Sequence, residues 1–429
     1  MSHATLEALR RGTLAGAREL HLTGCGLTEF PPEIYGLAET LEVLDIGHNT
    51  LVDLPADLYR LGQLRVLFAS GNRFARLPPA LGDCPALSQI GFRASGLSEV
   101  PAEALPPRLR WLTLTDNAIT ALPAALGERP ALAKLMLAGN RLQHLPETLL
   151  GAPGLELLRI AANHFEALPH WLEAHPTLAW LAWAGNPFDK APSPKAAAIH
   201  WRELELGALL GQGASGLVHH ALRQSGETRE AVALKLFKGA MTSDGLPRHE
   251  MAACLLAGGH PQLVGAIGRL KGHPEGQEGL IMPLIPGDWR ALAGPPSLES
   301  CTRDVYDPGL RLSPLAALRL ARRVAAAAAH LHGRGLLHGD LYAHNILWDG
   351  AAGEAVLSDF GAACFPPPGR ADGLQRVEAR AFGILLGELL ARIESDAPAI
   401  LSEVRAWCLE PRPEDRPSMA EVARALSPA

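Results

Sequence analysis

The chain has 429 residues, long enough for two or three domains with separate cores, and 48% hydrophobic against 20% charged residues excludes an extended disordered polymer. A formal charge of −6 gives no electrostatic ground for nucleic acid or an anionic membrane surface as partner. The six cysteines (Cys25, Cys84, Cys254, Cys301, Cys364 and Cys408) form no CxxC pair, which points to reduced thiols and no disulfide framework. The N-terminal stretch Met1–Glu7 lacks a basic region followed by an apolar core, and no apolar run reaches membrane-spanning length. The expectation is a cytoplasmic protein with no membrane partner, its Ala, Arg, Gly and Pro richness pointing to a bacterial genome. On oligomeric state the sequence is silent.

The first half is self-similar. Leu20-His21-Leu22-Thr23-Gly24-Cys25 opens a unit that returns as Leu44-Asp45-Ile46-Gly47-His48-Asn49 and again around Asn72, Ser95, Asn117, Asn140, Asn163 and Asn186. Successive spacings are 24, 23, 23, 22, 23, 23 and 23 residues. This resembles the leucine-rich repeat family, whose unit reads LxxLxLxxN/CxL. The two Leu positions should point inward from a short strand, and the Asn should satisfy backbone groups of neighbouring coils, with Cys25 and Ser95 as weaker rungs. Leu-Pro or a close variant follows in nearly every unit, from Phe30-Pro31 to Leu168-Pro169, and Pro should start the convex return. Asn186-Pro187-Phe188 reads as a cap.

Residues between the inward positions should face the concave surface: Val66, Phe68, Trp111, Met136, Leu157 and Trp180, with Arg93, Lys134 and Arg159 nearby. Such a patch is the expected docking face for a protein partner or substrate. The expected organisation is a repeat domain over 1–188, about eight repeats with a cap, then a Pro-rich linker over 189–200 and a second domain over 201–429.

The second half carries a series of motifs in order. Leu210-Gly211-Gln212-Gly213-Ala214-Ser215-Gly216-Leu217-Val218 is a Gly-rich loop, and Val232-Ala233-Leu234-Lys235 follows with strand-like alternation. Glu250 opens a helical stretch. His260-Pro261-Gln262-Leu263-Val264 leads to a strand, and Leu280–Ile285 forms another. A long Ala/Leu helix over 315–331 runs into His338-Gly339-Asp340-Leu341-Tyr342-Ala343-His344-Asn345, and Asp359-Phe360-Gly361 comes fourteen residues later. Glu378–Gly383 reads as a helix start, and Arg416-Pro417-Ser418 lies near the end. The clustered histidines His330, His332, His338 and His344 fit neither an HExxH helix nor a Cys/His zinc spacing.

These motifs resemble the protein kinase family from about Trp201 onward. The resemblance implies a bilobal α+β domain after the α/β solenoid, with ATP and Mg2+ as cofactors. It makes Asp340 the catalytic base, Asn345 and Asp359 the metal ligands, Lys235 the phosphate anchor and Glu250 its orienter. Leu210, Gly211, Gly213, Gly216, Val218, Ala233, Lys235, Met282 and Ile285 would surround the nucleotide, and Arg416 would be an ion-pair residue. Two departures stand out. Only 18 residues separate Asp359 from Glu378, with no APE triplet, so the activation segment is shortened; Gly339 and Tyr342 stand where most members carry Arg and Lys. The reading is an ATP-dependent kinase, of the Ser/Thr type, acting on protein hydroxyls. A small-molecule phosphotransferase and a weakly catalytic scaffold are the alternatives.

Overall fold

The computed structural model describes residues 2–213, 215–239, 241–242 and 244–427; Ala214 of the Gly-rich loop lies outside them. The chain divides into two compact units, Met1–Leu172 and Glu173–Ala429.

The first unit opens with helix α1 (Ser2–Arg10), which buries Leu6 and Leu9. Seven three-residue strands follow: β1 (Glu19–His21), β2 (Val43–Asp45), β3 (Val66–Phe68), β4 (Gln89–Gly91), β5 (Trp111–Thr113), β6 (Lys134–Met136) and β7 (Leu157–Arg159). They pair in parallel, each with the next, in strict register: Leu20 opposite Leu44, Leu44 opposite Leu67, and so to Leu135 opposite Leu158. These central residues, and the apolar residue two further on, are buried as the alternation requires.

The polar rungs behave as a ladder. Asn49 donates to Leu22 O at 3.0 Å while its oxygen accepts from Leu27 N at 3.0 Å, and Asn72 repeats the bond to Ile46 O. Asn163 reaches Leu137 O at 2.9 Å, and Ser95 substitutes a hydroxyl, to Ala69 O at 3.2 Å. Pro31, Pro78, Pro101, Pro123 and Pro146, with φ between −58° and −72°, each precede a 3-10 turn on the return path, where proline's fixed φ fits. The residue before each rung is left-handed. It is glycine at 24, 71, 139 and 185 but His48, Ala94, Asp116 and Ala162 elsewhere, the latter four with φ of 50° to 62°.

The concave face is smaller than expected. Val66, Leu157 and Arg159 are buried, at 2%, 4% and 1% exposure. Each stands in register with neighbours only about 4.8 Å away, Val66 between Val43 and Gln89, Leu157 beside Lys134 and Arg159 beside Met136. Phe68, Trp111 and Met136 remain half-exposed and Arg93 exposed. The Phe68 ring lies over Gly91, where a Cβ would stand 2.6 Å from Cδ1. Lys134 Nζ sits 3.9 Å from the Trp111 ring centre, and Trp111 Nε1 donates to Thr113 Oγ1 at 2.8 Å.

The second unit begins with the last repeat turn, including strand β8 (Trp180–Ala182). The segment 189–200 ends in strand β9 (Ala198–His200). The latter joins a six-stranded sheet with β10 (Leu204–Gln212), β11 (Gly216–Ser225), β12 (Thr228–Phe237), β13 (Gly268–Lys271) and β14 (Gly279–Pro283), in the order β10-β11-β12-β14-β13-β9. Neighbours are antiparallel except β13 and β9. Ile199, Val232, Leu234, Leu270 and Ile281 form its core. Helix α2 (Pro247–Ala257) follows β12.

The second lobe holds a three-stranded sheet of β15 (Arg290–Ala291), β16 (Ile346–Trp348) and β17 (Ala355–Leu357). Its helices are α3 (Pro314–Gly333), α4 (Ala371–Leu390), α5 (Ala399–Cys408) and α6 (Met419–Leu426). Ser313 caps α3 by accepting from Ala316 N, and Pro314 occupies the first turn; Ser418 and Glu421 form a capping box on α6. α4 starts seven residues before the expected Glu378, directly after Pro366-Pro367-Pro368-Gly369, where prolines can no longer continue a helix backward. Among the described residues Arg416 has no ion-pair partner within reach. It is 1% exposed and donates to the carbonyls of Glu410 (2.9 Å), Arg376, Pro411 and Pro176, while nearby Asp415 pairs with Arg412. Burial and the neighbouring Arg380 lower its pKa to about 10. All six cysteines are free and buried.

Two outcomes follow from this packing. Ala162→Gly should raise stability by up to about 1 kcal/mol, because glycine carries no left-handed penalty, and Gly139→Ala should cost about 1 kcal/mol; urea unfolding of the two variants checks the sign. In the helical lobe, Tyr306 Oη donates to Glu388 Oε2 at 2.9 Å, and burial with the nearby Asp304 charge pushes the Glu388 pKa up to about 7. The unfolded carboxyl ionises near 4.5 while the folded one stays protonated to about 7, so stability falls as pH rises through that window. Glu388→Gln should remove up to roughly 3 kcal/mol of this fall. Equal pH slopes for both proteins in denaturant titrations between pH 4.5 and 8 would rule the ionisation out.

Candidate active site

A cleft of about 670 Å³ lies between the two lobes of the second unit. Its roof is made by β10, β11 and β12, and Leu210, Gly211, Gly213, Gly216, Val218 and Ala233 all line it. A Cβ on Gly216 would stand 2.4 Å from Leu236 O, so that glycine is required by strand contact, whereas Gly211 and Gly213 face open space. Met282 on β14, buried at 7%, closes the back, and Ile285 lines the passage beyond the strand. Leu347 of β16 supplies the floor. Every expected nucleotide-facing residue thus lines one cavity.

Lys235 on β12 and Glu250 in the first turn of α2 form an ion pair, with side chains 13% and 3% exposed. Burial alone would lower the lysine pKa, but the Glu250 and Asp359 carboxylates outweigh it and hold Lys235 above its ordinary value. Burial raises Glu250 in turn. Asp359 sits at a left-handed φ of 59°, and its Oδ1 accepts from Gly361 N at 2.9 Å. Phe360 is buried with its ring 5.6 Å from that of His338.

The loop Asp340–Asn345 closes on itself. Asn345 Nδ2 donates to both Asp340 O and Asp340 Oδ2 at 2.8 Å. This occupies the amide nitrogen and leaves the amide oxygen, with the Asp359 carboxylate, as a hard-oxygen pair suited to a divalent cation. His338 accepts from Asp340 N on Nδ1 at 3.3 Å, so Nε2 carries the proton donated to Ser358 O at 2.9 Å. The loop hangs from α4: Gly339 N donates to Glu378 Oε2 at 2.9 Å, and His332 Nε2 lies 3.2 Å from Oε1. Burial would raise the Glu378 pKa, but the hydrogen bond with His332, the His338 ring nearby and the Gly339 N–H keep it below the usual value.

Two contacts here were not legible in the sequence. His344 donates from N and Nδ1 to Asp304, at 3.0 and 2.7 Å, and its Nε2 lies 3.8 Å from Asp340 Oδ2. Against its burial, Asp304 and Asp340 raise the His344 pKa. Asp304 lies in a loop 40 residues upstream with no motif around it. Trp180, expected on the concave surface, is instead 1% exposed. Its ring stacks on Tyr342 at 4.1 Å and 7°, and Nε1 donates to Leu341 O at 3.1 Å. A large amphipathic ring beside an aromatic of the 338–345 loop is more stable stacked than wet.

Comparison with known proteins agrees with this geometry. Residues 204–378 match the protein kinase domain family, and residues 107–165 match the leucine rich repeat family. Serine/threonine-protein kinase PkaA of Streptomyces coelicolor is 28% identical over 275 residues, covering 51% of this chain and 48% of that protein. CBL-interacting protein kinase 22 of Oryza sativa is 29% identical over 214 residues, 45% of this chain and 44% of the relative. Podocan of Mus musculus is 39% identical over 111 residues, 25% of this chain and 18% of the relative. The chain therefore spans less than half the length of each of these relatives. A protein kinase domain implies ATP and, in general, a divalent metal. The chain carries a leucine-rich repeat region followed by a protein kinase domain.

Proposed function

We propose that the chain is an ATP-dependent protein kinase of the Ser/Thr type, with a leucine-rich repeat domain that recruits a protein. The observation that carries this reading is one cleft lined by the Lys235–Glu250 pair and Asp359, with the Asn345–Asp340 couple tied to its wall where Ser358 N donates to Asn345 O at 2.8 Å. Lys235 anchors the nucleotide phosphates and Glu250 orients it. Asp340, its carboxylate oriented by Asn345 Nδ2, takes the acceptor hydroxyl's proton as the bond to phosphorus forms. Asn345 and Asp359 would hold Mg2+, which neutralises charge on the transferring phosphoryl group. The domain limits that fit this reading are 1–188, 189–200 and 201–429.

Among the described residues no helix is long and apolar enough to cross a membrane, and all six thiols are free. Both support a cytoplasmic setting. On the repeats, half-exposed Phe68, Trp111 and Met136, with the cations Arg93 and Lys134, support docking of a protein partner on the concave face.

Asp340→Asn keeps size and hydrogen bonding but removes the base, so phosphate transfer from labelled ATP should fall by about 100-fold or more while Mg·ATP still binds. Transfer at the wild-type rate would remove Asp340 from the chemistry. For the repeat face, the triple variant Phe68→Ser, Trp111→Ser and Met136→Ser should lose partner capture in a pull-down and retain nucleotide binding. Undiminished capture by the folded variant would take the concave face out of the recruitment step.

A further inference from the structure

The last repeat turn does more than end an array. Within the second unit, residues 176–189 touch the machinery of the kinase site at several separate points. Trp180 stacks on Tyr342 and donates to Leu341 O. Arg303 Cζ lies 5.6 Å from the Trp180 ring centre, and the Tyr342 ring in turn lies 5.1 Å from that of His344. Trp183 N donates to Cys364 Sγ at 3.2 Å, on the segment that follows Asp359. Leu181 O lies 2.9 Å from where a Cβ on Gly339 would stand. Arg380 of α4 donates to Thr177 O at 3.0 Å.

The same turn also reaches α2. His249 Nε2 lies 3.2 Å from Asp189 Oδ2, with both side chains 2% exposed or less. Asp189 is itself fixed, because its Oδ2 accepts from Gly185 N at 2.9 Å. Leu246, the residue that caps α2, packs on Gly185, where a Cβ would stand 2.5 Å from Cδ1. His249 precedes Glu250 on the helix, so anything that shifts His249 shifts the carboxylate that holds Lys235.

We propose that the terminal repeat turn is a positioning element for phosphoryl transfer: Trp180 sets the loop that carries Asp340, and Asp189 sets α2 through His249. The proposal rests on the kinase reading above. It assigns the two residues different kinetic signatures. Leu341 and Tyr342 do not line the nucleotide cleft, whereas Lys235 and Glu250 do. Disturbing Trp180 therefore misplaces the base without touching the nucleotide. Disturbing Asp189 loosens the phosphate anchor.

The test uses the full chain, Mg·ATP and dephosphorylated casein as acceptor, with ADP release, nucleotide Kd by calorimetry and amide hydrogen exchange as readouts. Trp180→Leu should lower kcat by about 10- to 100-fold, the scale of an ångström-sized misplacement, with the nucleotide Kd unchanged within about twofold. Exchange over 338–345 should rise. Trp180→Phe keeps a stacking ring and should recover most of kcat. Asp189→Ala should raise the KM for ATP and the nucleotide Kd together by about tenfold, with a smaller effect on kcat, as loss of the buried contact that seats His249 predicts. A folded Trp180→Leu protein with wild-type kcat overturns the proposal. So does a parallel loss of kcat and nucleotide affinity in both variants, which is the mark of general loosening. Wild-type protein that binds no Mg·ATP would sink the kinase reading instead. If wild type binds nucleotide but does not turn casein over, unchanged exchange over 338–345 in Trp180→Leu overturns the proposal.

Discussion

The buried carboxylate of Glu378 is the fixed point of the candidate site. An ionised carboxylate removed from water costs several kcal/mol unless its oxygens are bonded, and here each oxygen has a partner. One takes the Gly339 N–H and the other faces His332, with the His338 ring nearby. The loop that carries Asp340 therefore cannot drift from α4 without exposing or orphaning that charge. Asn345 ties the far end of the same loop back to Asp340. A segment pinned at both ends by groups that cannot be left unpaired holds its carboxylate in one place.

Gly339 makes the pinning possible. Its φ is 74°, and a Cβ there would lie 2.3 Å from Ala362 O, so a side chain is excluded by strain and by space together. The carbonyl that forbids it belongs to the segment after Asp359, which is bonded alongside the loop through Leu337 and Cys364, N–H to carbonyl in both directions. A segment held this closely has little slack, and α4 begins at Ala371, only a dozen residues past Asp359. The short connection, the glycine and the buried carboxylate are one arrangement.

What was legible in the sequence divides along the same physical line. The solenoid could be read because each repeat solves the same local problem, and a period of about 23 residues records the solution eight times. The cleft could be read because phosphate-approaching glycines, a strand lysine and a loop carboxylate must occur in a fixed order. Trp180 could not, since alternation places it outward on its strand and only the folded chain supplies Tyr342. Arg416 misled for a related reason: resemblance to the terminal RPS motif implied an ion pair, yet its guanidinium is buried among carbonyls while Asp415 pairs with Arg412 at the surface. The left-handed position before each rung was hidden because four of its eight occupants, His48, Ala94, Asp116 and Ala162, are not glycine. Asp304 had no pattern to betray it, since a single buried carboxylate in a loop has no period and no motif.

The charge balance of the cleft carries the last step. Lys235 faces Glu250 and Asp359, so one ammonium stands between two carboxylates. The lysine pKa is raised because that surplus of negative charge stabilises its proton. A bare polyphosphate entering such a cleft would meet repulsion from Asp359 that one lysine, already paired, cannot offset. The donors left over, the Asn345 amide oxygen and the Asp359 carboxylate, are the hard oxygens that a small divalent cation prefers. Such a cation would turn Asp359 from a repulsive neighbour into a ligand shared with phosphate. The surplus of acid that makes the isolated cleft unwelcoming to a polyanion is thus the same feature that makes a metal–nucleotide complex its natural occupant.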